Sequence, residues 1–234
     1  PLVAPMGQRY DDYYEGGVYK EAHVAKLDVL GFGIGNSVAE RPLADARIWR
    51  LAEMTERAEA FDVPMFFITG WYDHATAHEI DSFRAITARG GPKARLGTRL
   101  LVGPWNHMGI DQAAQGDLSY PAAAGEAARE TRLFFDFHLR GMTTNGWAER
   151  LRVRTWRCNE EGWTGSGAWP PTPFAEQEIF LHASGAMDAE RPATDEPVRA
   201  YVDDPSAPVP TVGGANLPAP GLTFGPRDQK PIEG

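Results

Sequence analysis

Two stretches of the chain are apolar almost without interruption, and each has the length of a strand. Val63-Pro64-Met65-Phe66-Phe67-Ile68-Thr69-Gly70 ends on glycine, and Arg99-Leu100-Leu101-Val102-Gly103-Pro104 ends on Gly-Pro. Runs of this kind belong to strands buried on both faces. Around them, apolar residues recur at helical spacing: Ile48, Leu51, Ala52 and Met54 within residues 44–60, Ile80, Phe83 and Ile86 within 75–89, and Leu133, Phe134 and Phe137 within 125–139. Each set gives a helix one apolar side. Helix, strand, helix, strand, helix at this spacing predicts an α/β fold with a parallel sheet.

Beyond Trp147 the pattern changes. The pieces Leu151-Arg152-Val153-Arg154-Thr155-Trp156 and Glu178-Ile179-Phe180-Leu181-His182 alternate apolar and polar at period two, which predicts short strands. Between and after them lie Trp169-Pro170-Pro171-Thr172-Pro173, Asp204-Pro205, Pro208-Val209-Pro210, Gly213-Gly214 and Pro218-Ala219-Pro220. Proline at this density leaves no room for a long helix. The expectation is therefore an α/β part over residues 1–148 and an all-β sandwich or jelly roll over 149–234, with a boundary near 148.

Composition narrows the function classes. The chain has 234 residues, 23 basic and 32 acidic, for a formal net charge of −9. Without a Lys/Arg cluster that charge argues against a nucleic-acid partner, since neutralising phosphates needs clustered cations. No run of about 18 apolar residues occurs, so no membrane-spanning helix is expected. Cys158 is the single cysteine, which rules out an internal disulfide and a cysteine-rich zinc module. With no basic and apolar leader visible, a secretory signal is either absent or already removed, so the compartment stays open with the cytoplasm favoured. Association of like chains stays open.

In an open parallel sheet, chemistry sits just beyond the carboxyl ends of the strands. After the first apolar strand comes Trp71-Tyr72-Asp73-His74, and after the second Trp105-Asn106-His107-Met108-Gly109. Asp73 and His107 thus end consecutive strands in the order acid, then base. They fit two members of a hydrolase triad: a carboxylate that orients an imidazole, and an imidazole that takes a proton from a nucleophile. Asp73 also precedes a predicted helix and could simply cap it, while a His in a Gly/Pro loop is often only polar. Trp71, Tyr72 and Trp105 fit either the wall of an acyl pocket or ordinary packing beneath the loops.

Five segments in order carry a resemblance. They are Tyr13-Tyr14-Glu15-Gly16-Gly17, the stretch Val63-Pro64 to Asp73, Leu101 to His107, Phe134-Phe135-Asp136-Phe137-His138-Leu139-Arg140-Gly141, and Tyr201-Val202-Asp203-Asp204-Pro205 with Pro208 to Gly214. Together they resemble the X-Pro dipeptidyl peptidase and cocaine esterase family of α/β-hydrolases, and the final Gly225-Pro226-Arg227-Asp228-Gln229-Lys230-Pro231-Ile232-Glu233 is similar to the next stretch of that family's jelly roll. The resemblance implies an α/β-hydrolase sheet with cap helices over about residues 18–60, acid and base loops after 61, and a jelly roll behind them. It implies hydrolysis of a small-molecule ester or amide through a serine acyl-enzyme, with Asp73 as triad acid, His107 as triad base and no cofactor.

The chain also departs from the family. No G-x-S-x-G elbow occurs anywhere in it. The nearest approach, Gly35-Asn36-Ser37-Val38-Ala39, lies only about 35 residues before Asp73, too close for the intervening helix–strand units. Pro42 falls where the elbow's helix would run. The expectation is that the nucleophile and the oxyanion-hole tyrosine lie upstream, and that this segment alone does not turn over substrate. His74 comes after the acid where the family more often has glycine, and Asn106 precedes the base where it more often has Ser or Thr.

Two competing constellations are weaker. His74 and His78 are four apart with Glu79 adjacent, a spacing that can bind zinc on a helix. The H-E-x-x-H order is not met and no third ligand is evident, so no metal is expected. His138, at a predicted helix end, is expected to be structural, as a cation facing the helix dipole. Trp147, Trp156, Trp163 and Trp169 could stack sugars on a binding module, the alternative to an enzyme, although an interface between the two parts is the preferred place for them.

Overall fold

In the computed structural model the described residues are 10–15, 17–29, 31, 33, 35–40, 55–160, 162–171, 174–198, 200, 202, 204–208, 210–216 and 223–232. The chain opens with helix α1 (Tyr10–Tyr13), the two-residue ladder β1 (Tyr14–Glu15) and β2 (Val18–Tyr19), and helices α2 (Glu21–Val29) and α3 (Gly35–Ala39). Tyr13, Tyr14, Val24, Leu27 and Val38 close a small core of their own, pinned by the Tyr14 hydroxyl donating to the Val38 carbonyl at 2.8 Å. Of the helix expected over 44–60, residues 44–54 lie outside the described set. Residues Thr55–Ala60 form a 3-10 turn, kinked at Arg57.

Next come strand β3 (Phe66–Tyr72), helices α4 (Thr76–Arg89) and α5 (Pro92–Gly97), and strand β4 (Arg99–Asn106). A short ladder of β5 (Ala114–Gln115) and β6 (Leu118–Ser119) leads to helix α6 (Glu126–Arg140). Beyond it are β7 (Val153–Arg157), β8 (Gly162–Ser166), and the small ladder of β9 (Phe180–Leu181) and β10 (Met187–Asp188). The main sheet has the order β3-β4-β7-β8. β3, β4 and β7 are parallel, and β8 returns antiparallel to β7.

Alternation along these strands builds two apolar layers. Phe67, Leu100, Val102 and Val153 pack with Phe83, Ala85 and Ile86 of α4. On the other face Phe66, Ile68, Leu101, Trp105 and Trp156 gather with Tyr120 and Ala127. Helices thus cover both faces, as a parallel sheet requires. α6 is held down by buried Glu130, which meets Arg154 of β7 at 2.8 Å and Arg150 at 3.2 Å. Burial of such a charge is tolerated only when it is paired in this way.

The sheet runs past residue 148, where the sequence pattern placed a boundary. Leu100, Leu101 and Val102 of β4 pair with Val153, Arg154 and Thr155 of β7, so 153–166 extend the α/β sheet rather than start a second domain. Period-two alternation identified the strand but carries no information about which sheet it joins. Among the described residues from 167 on, regular structure consists of the β9–β10 ladder, a Gly214–Gly225 bridge and a 3-10 turn at Lys230–Ile232. Among the described residues these elements supply no pair of packed sheets that would confirm the expected sandwich. No helix among the described residues is long and apolar enough to cross a membrane.

Candidate active site

Asp73 and His107 stand just beyond the carboxyl ends of neighbouring parallel strands. The turn after β3 is built by short bonds: the Asp73 N–H donates to the Gly70 carbonyl at 2.8 Å, and the Thr76 hydroxyl donates to the Asp73 carbonyl at 2.8 Å. Asp73 is 5% exposed, and its Oδ1 accepts the Ala75 N–H at 2.9 Å. The same carboxylate lies 3.2 and 3.3 Å, through Oδ1 and Oδ2, from Nδ1 of His107. Asp73 therefore both closes the turn ahead of α4 and meets the histidine.

His107 is aimed by a bulge in β4. Gly70 pairs with Gly103 but Tyr72 pairs with Asn106, so β4 carries one extra residue across Gly103-Pro104-Trp105. A bulge tolerates a proline that lacks an N–H and re-aims the chain beyond it. The Trp105 indole folds back over Gly103, where any side chain would collide with it.

Past the bulge, the loop is held from inside. Gln115 is fully buried. Its Oε1 accepts the backbone N–H and the Nδ2 of Asn106, both at 2.8 Å, and its Nε2 donates to the Gly109 and Gln112 carbonyls at 2.7 and 2.9 Å. Asp111, at φ 69°, accepts the Ala127 and Ala128 N–H groups at 2.7 and 3.0 Å and so caps α6. The carboxy-terminal stretch clasps the same loop: Asp117 pairs with Arg227 at 2.6 Å, and its N–H donates to the Pro226 carbonyl at 2.8 Å. Sequence reasoning missed Gln115 and Asp111, because neither sits in a pattern that separates it from ordinary loop residues.

The electrostatics derive from the geometry. Burial pushes the Asp73 carboxyl up, but its contacts with His107, His74 and the Ala75 N–H outweigh it and hold the group well below the usual carboxylate range. His107 is raised above the ordinary 6.5, chiefly by its bond to Asp73 and against the effect of burial. Glu79, on α4, is pushed up to about 7 by burial and by the Asp73 charge.

Not all the other expected residues reach the site. Half-buried Trp71 donates from Nε1 to the Trp156 carbonyl at 2.8 Å and leans on Trp169. The Tyr72 hydroxyl is 3.4 Å from that of Tyr120. Trp105, expected on the substrate wall, is instead 0% exposed and belongs to the core, because the bulge turns its ring inward. Trp147 and Trp156, each 2% exposed, are core residues too. The four-tryptophan sugar platform is not formed, and Trp147 packs on Phe66 and Phe134 rather than at a domain interface. The surroundings of His138 disfavour the cation expected at its helix end. Burial, then the Arg99 charge, lowers its pKa, and its ring packs on Phe134 and Phe137. Ser37 lies in the five-residue helix α3, which comes after helix α2 rather than a strand, so the strand–turn–helix of a nucleophile elbow is not built around it. His74, weighed with His78 as a helical pair and not expected to hold a metal, turns to Asp73, with Nδ1 3.1 Å from Oδ1.

Residues 20–109 match the sequence family described as X-Pro dipeptidyl-peptidase (S15 family). Over 88% of its length the chain is 29% identical to the cocaine esterase of Rhodococcus sp. (strain MB1 Bresler), of which it spans 39%. Among solved structures, an aminopeptidase from the marine sediment archaeon Thaumarchaeota archaeon superposes with a TM-score of 0.68 at 23% identity, covering 92% of this chain and 36% of that one. That likeness establishes the α/β fold. The resemblance carried by the five sequence segments is thus met from outside the chain: it is similar to the S15 X-Pro dipeptidyl peptidases and to cocaine esterase.

Proposed function

We propose that this chain supplies the acid and the base of a serine-type hydrolase that cleaves ester or amide bonds of small acyl substrates. The observation that carries the reading is the Asp73–His107 contact at 3.2–3.3 Å across the ends of two adjacent parallel strands. The names of the relatives support hydrolysis of esters or peptides. In this reading His107 Nδ1–H donates to the Asp73 carboxylate, which fixes the tautomer and leaves Nε2 as the proton acceptor. A serine hydroxyl gives its proton to Nε2 as its oxygen attacks the substrate carbonyl. The tetrahedral adduct collapses, the alcohol or amine departs with that proton, and water then hydrolyses the acyl-serine by the reverse use of His107. The chain spans under half of its esterase relative, and the reading assigns the nucleophile to a serine outside these 234 residues. Trp71 and Tyr72, fixed by their hydrogen bonds and partly exposed, are the aromatic groups proposed to face the acyl substrate.

The test is labelling of the enzyme with a fluorophosphonate, then peptide mapping and kinetics of His107→Ala and Asp73→Asn. The expectation is a single labelled serine and a loss in turnover on the order of 10⁴-fold for Asp73→Asn, with the fold intact. In the parent, the acidic limb of kcat/KM lies above pH 6.5, since Asp73 raises His107; in Asp73→Asn it moves to lower pH. Unchanged turnover in either variant would refute the assignment.

A further inference from the structure

We infer that Asp73, His74 and His107 form a binding site for a divalent transition-metal ion of zinc type, whose occupation switches the hydrolytic pair off. Among the described residues these three are the only group of His, Cys, Asp or Glu side chains whose ligand atoms lie within 4.8 Å of one another. Both imidazoles present the same atom to the same oxygen: Nδ1 of His74 is 3.1 Å and Nδ1 of His107 is 3.2 Å from Asp73 Oδ1. Zinc bound to nitrogen and oxygen at about 2.0–2.2 Å in a tetrahedron separates its ligand atoms by roughly 3.3–3.5 Å. The two N···O spacings fall short of that by only a few tenths of an ångström, and all three donor atoms lie within 4.8 Å of one another.

A second observation points the same way. Nδ1 of His74 is buried yet has no hydrogen-bond partner; it is close to Asp73 but out of line for a good bond. A nitrogen in that position, beside a carboxylate and free of a competing hydrogen bond, is a ready metal donor. The rings of His74 and His107 stand edge to face with centroids 4.7 Å apart, both at the same carboxylate oxygen. Two imidazoles and a carboxylate are a zinc donor set, and the Ala75 N–H on Asp73 Oδ1 supplies the outer hydrogen bond that orients such a ligand. His74 and His107 are 30% and 23% exposed through their side chains, so the ion has an entry path from solvent. The third ligand that the His74/His78 spacing failed to provide is a residue 33 positions further on, at the end of the next strand.

Binding costs the pair its function. The ion takes the place of the proton that His107 Nδ1 donates to Asp73, and that proton leaves to solvent. With Nδ1 ligated, the imidazole no longer has the carboxylate-bound tautomer that general-base catalysis uses. The inhibitory consequence rests on the hydrolase reading above; the binding itself does not.

The experiment titrates the enzyme with Co²⁺, read by its visible ligand-field absorption, and then with Zn²⁺ in competition and by calorimetry. His74→Gln and His78→Gln are compared, with circular dichroism to show that each is folded. The expected result is one ion per chain, tetrahedral-type Co²⁺ bands displaced by Zn²⁺, more than ~100-fold weaker binding in His74→Gln, beyond the loss typical of an outer-sphere partner, and parent-like binding in His78→Gln. Fluorophosphonate labelling slows in step with zinc occupancy. Absence of saturable binding, or equal binding by His74→Gln and the parent, would overturn the inference. Labelling without metal reports on the hydrolase reading separately, so a protein that labels but binds no zinc loses only this inference, and one that binds zinc but never labels loses only its inhibitory consequence.

Discussion

Gly70 lies tight against the Trp105 backbone of β4 just before the site, and adding one methyl group there tests whether strand spacing sets the Asp73–His107 contact. A Cβ built on Gly70 would lie 2.7 Å from the carbonyl carbon and 2.8 Å from the Cα of Trp105, and closer still to its carbonyl oxygen. These are backbone atoms, so no side chain can swing away. Ordinary contact begins near 3.4 Å, so the strands must part by at least about 0.7 Å, and by more to clear the carbonyl oxygen, at a point three residues before Asp73 and two before His107. The Asp73–His107 contact of 3.2–3.3 Å is already at the long end of a hydrogen bond, and an opening of that size breaks it. Overpacking costs about 1–3 kcal/mol and a charge-assisted hydrogen bond about 1.5–3 kcal/mol. Gly70→Ala is therefore expected to lose roughly 3–5 kcal/mol, a large share of a typical folding free energy. Urea denaturation measures this against Gly167→Ala, whose new methyl group meets open space and is expected to stay within about 0.5 kcal/mol of the parent. In the folded fraction, NMR titration of His107 should show its pKa falling back toward 6.5 as Asp73 moves away. If Gly70→Ala unfolds at the same urea concentration as Gly167→Ala with His107 unmoved, the strand-spacing argument is wrong.

The loops and α4 give three further outcomes. Gln115→Met keeps the volume but leaves the two Asn106 donors and the Gln112 carbonyl unpaired, the Gly109 carbonyl keeping only the Gln112 N–H; it should cost about 2–4 kcal/mol by chemical denaturation and lower turnover through loss of His107 placement. Asp111→Ala removes two helix-capping bonds and puts alanine at φ 69°, for a loss of about 1–2 kcal/mol; Asp111→Asn, which keeps an acceptor and tolerates that backbone, should recover most of it, and equal losses would count against the cap. Glu79 binds its proton more tightly folded than unfolded, so its contribution is whole below about pH 4.5 and is lost as pH rises through about 7. A rise of that size corresponds to at most about 3 kcal/mol by pH 8, and Glu79→Gln should flatten the thermal-stability profile between about pH 5 and 8; a parent-like slope would show that Glu79 is not its source.

Much of the sheet was legible because its code is local. Arg99–Asn106 is buried on both faces and Phe66–Tyr72 is buried on one and half-buried on the other, and that burial writes itself as a largely apolar run. The helices Thr76–Arg89 and Glu126–Arg140 bury one side each, which a 3.6-residue period reveals. The pairing of β7 with β4 was not legible, because Val153 and Trp156 bury opposite faces of a strand whose partner lies some fifty residues away. Alternation reports that two faces differ, not what covers them. Nor does the proline-rich composition beyond 167 specify a sandwich. It excludes long helices, and among the described residues it yields turns and a clasp on the base loop through Asp117 and Arg227, 110 positions apart.

The candidate site was half legible for a related reason. Asp73 and His107 could be named because topology places the ends of consecutive parallel strands together, so two residues 34 apart in sequence become neighbours by rule. The rule fixes which loops meet but not the atoms they present. A single extra residue in β4 decides that His107 turns toward the carboxylate and Trp105 into the core, and Gln115 holds that outcome by filling four hydrogen-bonding positions at once. His74 shows the limit from the other side. Its i,i+4 spacing to His78 drew attention to the helix, while its own Nδ1 points to the neighbouring Asp73. Asp73 Oδ1 thereby becomes the common point of a helix-entry turn, a base and a second imidazole. A carboxylate shared in this way is held ionised by its partners and is placed by the turn rather than by the strand. The geometry of the Asp73–His107 pair therefore depends on residues that contact neither substrate nor nucleophile, and those residues are where substitutions separate fold from chemistry most cleanly.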